Sequence, residues 1–272
     1  MKINAQHMLE GDNIEHISCS KNSEKFKDNM PDTIIMHYTA GRNGESSAKY
    51  LAKDNVKASA HIVIDRSGKI FQLVPFNIIA WHAGKSQYSN RTGLNNYSIG
   101  IELDNAGVLK KTGNKYQSWF GKYYSEDEVI EAKHRNEHTN KYWHTYTEEQ
   151  LNRSFELCEL LIETYGIRMI LGHEEISPGR KQDPGPAFPL DKFRNKLLFD
   201  NRKDQDVSIS GIKAKVTPDF LNIRSGPGIK YETIALPLEK NQQVEILNEQ
   251  FGWVKVKTTL TGWVKKEYLN MD

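Results

Sequence analysis

Two histidines and an aspartate stand where they could hold a metal ion. His37 ends the apolar run TIIMHY, His173 opens the irregular stretch GHEEISPGRKQDPGPAF (residues 172–188), and Asp183 follows ten residues later. Neutral imidazole and ionised carboxylate are zinc ligands, and three protein ligands with one open position define a catalytic rather than a structural site. A lone histidine is more often a hydrogen-bonded residue than a ligand. Context favours ligation here, because each of the three sits at a strand end or in a loop bounded by Pro178, Pro184 and Pro186.

Glu102 ends a second apolar run, SIGIEL. An unpaired buried charge is costly, so burial alone does not account for a carboxylate there. If its strand lies beside the one carrying His37, Glu102 faces the water at a metal and can take its proton. Lys181, two residues before Asp183, is then placed to stabilise the oxyanion that forms when water attacks a carbonyl. Glu174 and Glu175 read as helix-start or solvated residues, and His61 reads as structural.

The elements that must position these groups alternate. TIIMHY, AHIVID, KIFQLV and SIGIEL have strand length and apolar or alternating character, with a hairpin turn at residues 65–68. The clearest helix covers residues 147–165: Thr147 and Gln150 form a capping box, Leu151, Phe155, Cys158 and Ile162 repeat at helical spacing, and Gly166 stops it. The fold class expected is α/β, a central mixed β-sheet packed by helices. Residues 107–146 form an aromatic-rich insert with a helix expected over 125–138. It reads either as a surface excursion packed on itself or as a wall of a substrate groove. His134 and His138 within it lie four apart, with no third metal ligand apparent.

A polar stretch, DNRKDQDVSIS, marks the boundary between residues 1–199 and a small β-rich module at 211–272, with 200–210 as linker. The whole chain has 272 residues, 26% charged side chains and a formal net charge of +2, which excludes a dedicated nucleic-acid binder. No apolar run approaches the roughly 20 residues needed to span a bilayer. Cys19 and Cys158 lie outside any CxxC pair, so neither a disulfide framework nor a cysteine zinc site is supported. The N-terminal residues MKINAQHMLEGDNIEHI lack the apolar core of a secretory signal, so the expectation is synthesis in the cytoplasm, with any action on a cell wall reached by lysis or another delivery route.

Five segments in series, IIMHYTAG, SAHIVIDRSGKIFQLV, AWHAG, LNNYSIGIEL and GHEEISPGRKQDPGPAF, resemble the zinc-dependent N-acetylmuramoyl-L-alanine amidases of the amidase-2 type, related to peptidoglycan recognition proteins. The resemblance implies one zinc ion on His37, His173 and Asp183, catalytic roles for Glu102 and Lys181, and cleft-bordering roles for Trp81, His82 and Asn95. It implies hydrolysis of the amide between the lactyl group of N-acetylmuramic acid and the L-alanine of the stem peptide. The substrate would be peptidoglycan polymer, as for an endolysin, or an anhydromuropeptide in a recycling route. A non-catalytic recognition module is the competing expectation. LNIRSGPG, GWVKV and GWVKKEYL resemble a bacterial SH3-like domain, which implies cell-wall peptide binding or simple packing beside the catalytic part, with Trp253 and Trp263 expected in its core.

Overall fold

Parallel strands buried on both faces read as continuous apolar runs, and the main sheet of the larger unit is built on such runs. The computed structural model describes residues 1–27, 30–200, 212–227, 231–250 and 253–259. It divides into two units, Met1–Asn201 and Arg202–Asp272. The elements that frame the first unit are β1 (Ile14–His16), β2 (Thr33–Tyr38), α1 (Gly44–Ala52), β3 (Ile62–Ile64), β4 (Ile70–Gln72), β5 (Ser98–Leu103), α2 (Glu148–Tyr165), β6 (Met169–Gly172), α3 (His173–Ile176) and α4 (Leu190–Asn195). Six of them form one mixed sheet in the order β6, β2, β5, β3, β4, β1. β6, β2, β5 and β3 run parallel, and β4 turns back antiparallel to β3 through a turn closed by the Gly68 amide on the Asp65 carbonyl.

Register decides which side chains meet. His37 pairs with Glu102 and Gly172 pairs with Met36, so His37, Glu102 and His173 come together where three parallel strands end. Crevices outside the carboxyl ends of parallel strands are where such sheets bind ligands. The period of two then assigns faces. Ile34 and Met36 of β2, with Ile99, Ile101 and Leu103 of β5, join the core formed with Leu157, Cys158 and Leu161 of α2. Ile35 instead joins Ala83, Leu94, Leu171 and Ile176 on the opposite face. His37 and Glu102 share that opposite face, away from α2.

Helix α2 has the expected boundaries. The Thr147 side chain accepts from the Gln150 amide, and Gly166 ends the helix at φ 65°, in the left-handed region that favours glycine. The N-terminal segment supports the site indirectly. The Lys21 amine lies 2.8 Å from the carbonyls of Leu51, Lys53, Val56 and Ala58, fixing the chain that leaves α1.

The insert departs from expectation. Instead of a helix over 125–138 there is one 3-10 turn, Glu126–Glu128, followed by the strand Val129–Lys133. That strand pairs with Asn140–His144 within a five-stranded antiparallel sheet. The charged residues around it favour helix, but pairing against the aromatic strand NKYWH overrides that preference. Ala106, Leu109, Tyr116 and Tyr124 form its own small core. His134 and His138 therefore do not share a helical face.

In the second unit Ile212–Lys215, Gln243–Gln250 and Trp253–Lys257 form an antiparallel sheet, and Phe220–Leu221 pairs with Leu238–Glu239. Among the described residues its core is Val216, Leu238 and Val244. Trp253 is only partly buried and lies outside that cluster, so the core role expected for it is corrected. Trp263 and the run GWVKKEYL lie outside the described residues.

His61 carries a consequence for stability. It is fully buried, its Nε2 bonded to the Ile78 carbonyl at 2.9 Å and its Nδ1 accepting the Gly100 N–H at 3.0 Å. Burial pushes its pKa from 6.5 down to about 4. Between those values the unfolded chain binds the proton and the folded chain does not, so stability is lost as pH falls through this window and is fully present above it. A displacement of this size is worth on the order of 3 kcal/mol. Denaturant titrations should show the unfolding midpoint dropping between about pH 6.5 and about pH 4, with a shallower decline in His61→Gln; equal slopes would contradict this origin.

Candidate metal and catalytic centre

Three atoms converge at the strand ends. His37 Nδ1 and His173 Nδ1 are 2.9 Å apart, and each is 2.9 Å from Asp183 Oδ2. All three side chains are buried. The hydrogen-bond network assigns the ring protons. His173 Nε2 lies 3.1 Å from the Ala83 carbonyl, so it carries the proton and donates. His82 Nε2 faces the Ser98 carbonyl at 3.2 Å and donates likewise, which leaves His82 Nδ1 to accept from His37 Nε2 at 3.0 Å. In the neutral rings both Nδ1 atoms then present lone pairs to the same point as a carboxylate oxygen. Burial and the neighbouring His173 push His37 down to about 4, which keeps it neutral. Two imidazole nitrogens and one carboxylate oxygen with no proton among them are the donor set of a divalent cation. Among the described residues this is the group able to hold a metal ion.

Glu102 borders the same cavity of about 470 Å³, together with Tyr38, His173, Lys181 and Asp183. Its Oε2 is buried without a hydrogen-bond partner. Burial first, and then the Asp183 charge, push its pKa up to about 8, with Lys181 pulling the other way. An orphaned carboxyl oxygen beside three converging lone pairs suits a group meant to exchange protons with something in the cavity.

Of the three residues expected to border the cleft, His82 lines the cavity although it is buried against His37, and Trp81 is 40% exposed. Asn95 spends its Oδ1 on the backbone amides of His82 and Ala83, at 3.0 and 2.7 Å. Its contacts hold the AWHAG turn, which in turn aims the His82 ring. Such outer partners orient metal ligands and fix their tautomers.

Gly100 and Glu174 were not legible as site residues. A β-carbon on Gly100 would collide with the His82 ring. The only trace in the sequence is a glycine inside the buried strand SIGIEL, a known mark of close approach. Glu174, expected at a helix start or in solvent, does stand in the first turn of α3, but it is buried. Its Oε2 meets His134 Nε2 at 2.6 Å and the Gly185 amide at 3.1 Å, and its Oε1 meets Arg135 Nε at 2.8 Å. The Glu174 amide also donates to the Asp183 carbonyl at 2.8 Å. The insert thus grips the loop that carries Asp183, and Trp143 packs 2.9 Å from where a β-carbon on Gly185 would stand.

A family model described as N-acetylmuramoyl-L-alanine amidase matches residues 27–186. The chain belongs to this family. A bacterial SH3 domain model matches residues 219–270, in the all-β second unit. The 1,6-anhydro-N-acetylmuramyl-L-alanine amidase AmpD of Escherichia coli K12 is 34% identical over 142 residues, which are 52% of this chain and 58% of that protein. The N-acetylmuramoyl-L-alanine amidase AmiD of the same strain is 33% identical over 165 residues, 57% of this chain and 49% of its own. The chain thus spans about half the length of these relatives. A crystal structure of a selenomethionine AmpD derivative aligns with a TM-score of 0.48 at 24% identity, over 71% of this chain and 97% of that one.

The role of Gly100 can be measured. Gly100→Ala should displace His82 and so release His37 Nε2, weakening metal binding about tenfold or more in competition with a fluorescent chelator. Unchanged affinity would show that the His82 contact does not govern the ligand.

Proposed function

We propose that the chain hydrolyses the amide between the lactyl group of N-acetylmuramic acid and L-alanine of the peptidoglycan stem peptide, with one zinc ion held by His37, His173 and Asp183. The observation that carries this reading is the convergence of three lone pairs next to an orphaned carboxyl oxygen and a lysine in one cavity. The bound ion would supply Lewis-acid polarisation and a more acidic water at neutral pH. Glu102 takes a proton from the attacking water and delivers it to the leaving nitrogen of L-alanine. Lys181 opposes the negative charge that grows on the carbonyl oxygen. His82 and Asn95 keep His37 aimed, and partly exposed Trp81 borders the cleft on the substrate side.

Peptidoglycan polymer is the favoured substrate, since a module similar to bacterial SH3 domains suits a chain that works on the cell wall. The second reading, recycling of anhydromuropeptides in the cytoplasm, is supported by the similarity to AmpD, whose name specifies the 1,6-anhydro sugar. No helix among the described residues is long and apolar enough to cross a membrane.

Digestion of purified sacculi with zinc-loaded protein should release free stem peptides beginning with L-alanine, detected by mass spectrometry. Glu102→Gln and Lys181→Met should each lower kcat by about a hundredfold or more while zinc content stays at one equivalent. A Glu102→Gln variant that turns over as fast as the parent would remove this residue from the mechanism, and binding of muropeptide without zinc or turnover would instead favour a recognition module.

A further inference from the structure

Among the described large apolar side chains of Met1–Asn201, none is more exposed than Trp119, at 77%. It sits on the insert, in the turn between the strands Lys115–Gln117 and Tyr123–Tyr124. A single exposed aromatic needs no explanation by itself, but this one is held in place. Its Nε1–H donates to the Ala40 carbonyl at 2.8 Å, and its ring meets Phe120 edge to face at 5.6 Å. The Arg42 guanidinium in turn lies 5.7 Å from the Phe120 ring centre. Ala40 lines the cavity and stands three residues after His37. The insert therefore reaches across to the rim of the site, where it fixes an indole by its one polar atom and leaves the ring in water. An aromatic face whose rotamer is already fixed loses little entropy when a ligand covers it.

We propose that Trp119, edged by Phe120 and Arg42, is a platform for a sugar ring of a glycan strand that continues beyond the scissile linkage. The proposal rests on the amidase reading. An amino-sugar ring presents a flat C–H face framed by hydroxyl and acetamido groups. That face complements the electron-rich face of the indole, while the guanidinium offers donors to the polar frame. The other part of such a substrate, a short peptide beginning with L-alanine, starts with a side chain too small to cover an indole. The platform makes the preferred substrate a glycan of several sugars rather than a single-sugar fragment.

The test compares the full-length, zinc-loaded protein with Trp119→Ala and Trp119→Phe, after thermal melts establish that all three are folded. Two readouts are needed: binding to peptide-free glycan strands, and kcat/KM on intact sacculi against a muropeptide bearing one sugar. Trp119→Ala should bind glycan about tenfold more weakly and lose about tenfold in kcat/KM on sacculi, a contribution of about 1.4 kcal/mol, with less than a twofold change on the single-sugar substrate. Trp119→Phe, which keeps an aromatic face, should retain most of both. Glycan binding that is absent in the parent or unchanged in Trp119→Ala, or an equal loss on both substrates, would overturn the platform. If the parent cleaves neither substrate, the amidase reading fails, and the glycan-binding comparison still decides the platform. All three proteins carry the second unit, so any binding it contributes is the same in each and cancels from the comparison.

Discussion

Three lone pairs aimed at one point in a buried pocket repel one another, and much of the first unit serves to hold them there. The parallel register places His37 opposite Glu102 and lets His173 follow directly on the strand that pairs with β2. Hydrogen bonding then commits the outer ring protons. The Ala83 carbonyl takes one, and His82, itself committed to the Ser98 carbonyl, takes the other. These partners lie on the backbone or on a ring locked above Gly100, so protein groups outside the ligand set orient the two imidazoles. Outer partners of this kind limit how far ligands must reorder at the moment of binding.

The third donor, Asp183, comes from a loop, and loops hold position less firmly than strands. Here the loop is fixed from two sides. Arg180 bonds the carbonyls of Ala83 and Lys85, tying it to the AWHAG turn. Glu174 and Glu175 tie it to the insert through His134 and Arg135. Glu175 also accepts the Gly172 amide at the start of α3. Removing one member of such a buried charged network costs far more than an exposed ion pair would, because the partner is left desolvated and unpaired. The insert is thus not a separate excursion: its inner side steadies the metal-ligand loop, and its outer turn carries Trp119 to the rim.

Much of this is legible in the sequence where local physics decides the outcome. The capping box of Thr147 and Gln150, the Gly166 stop and the apolar runs of β2 and β5 each need only near neighbours, and they form as expected. The α/β class follows from their alternation. The convergence of His37, His173 and Asp183 depends on register between strands 136 residues apart, which no local signal encodes. The insert shows the opposite failure: its charged residues favour helix locally, and a cross-strand partner rich in aromatics wins. Glu174 illustrates why buried charge is hard to foresee, since its burial is tolerable only because His134, 40 residues away, and its neighbour Arg135 reach it. Gly100 needed the His82 ring above it before its missing side chain had a meaning.

The central claim, that these three residues form a zinc site, is tested most directly by X-ray absorption at the zinc edge on protein loaded with one equivalent of the metal. The account predicts a sulfur-free shell of nitrogen and oxygen donors at about 2.0 to 2.2 Å, including two imidazoles. It also predicts that His173→Ala abolishes that shell. A spectrum with sulfur donors, or one left unchanged by His173→Ala, would contradict it.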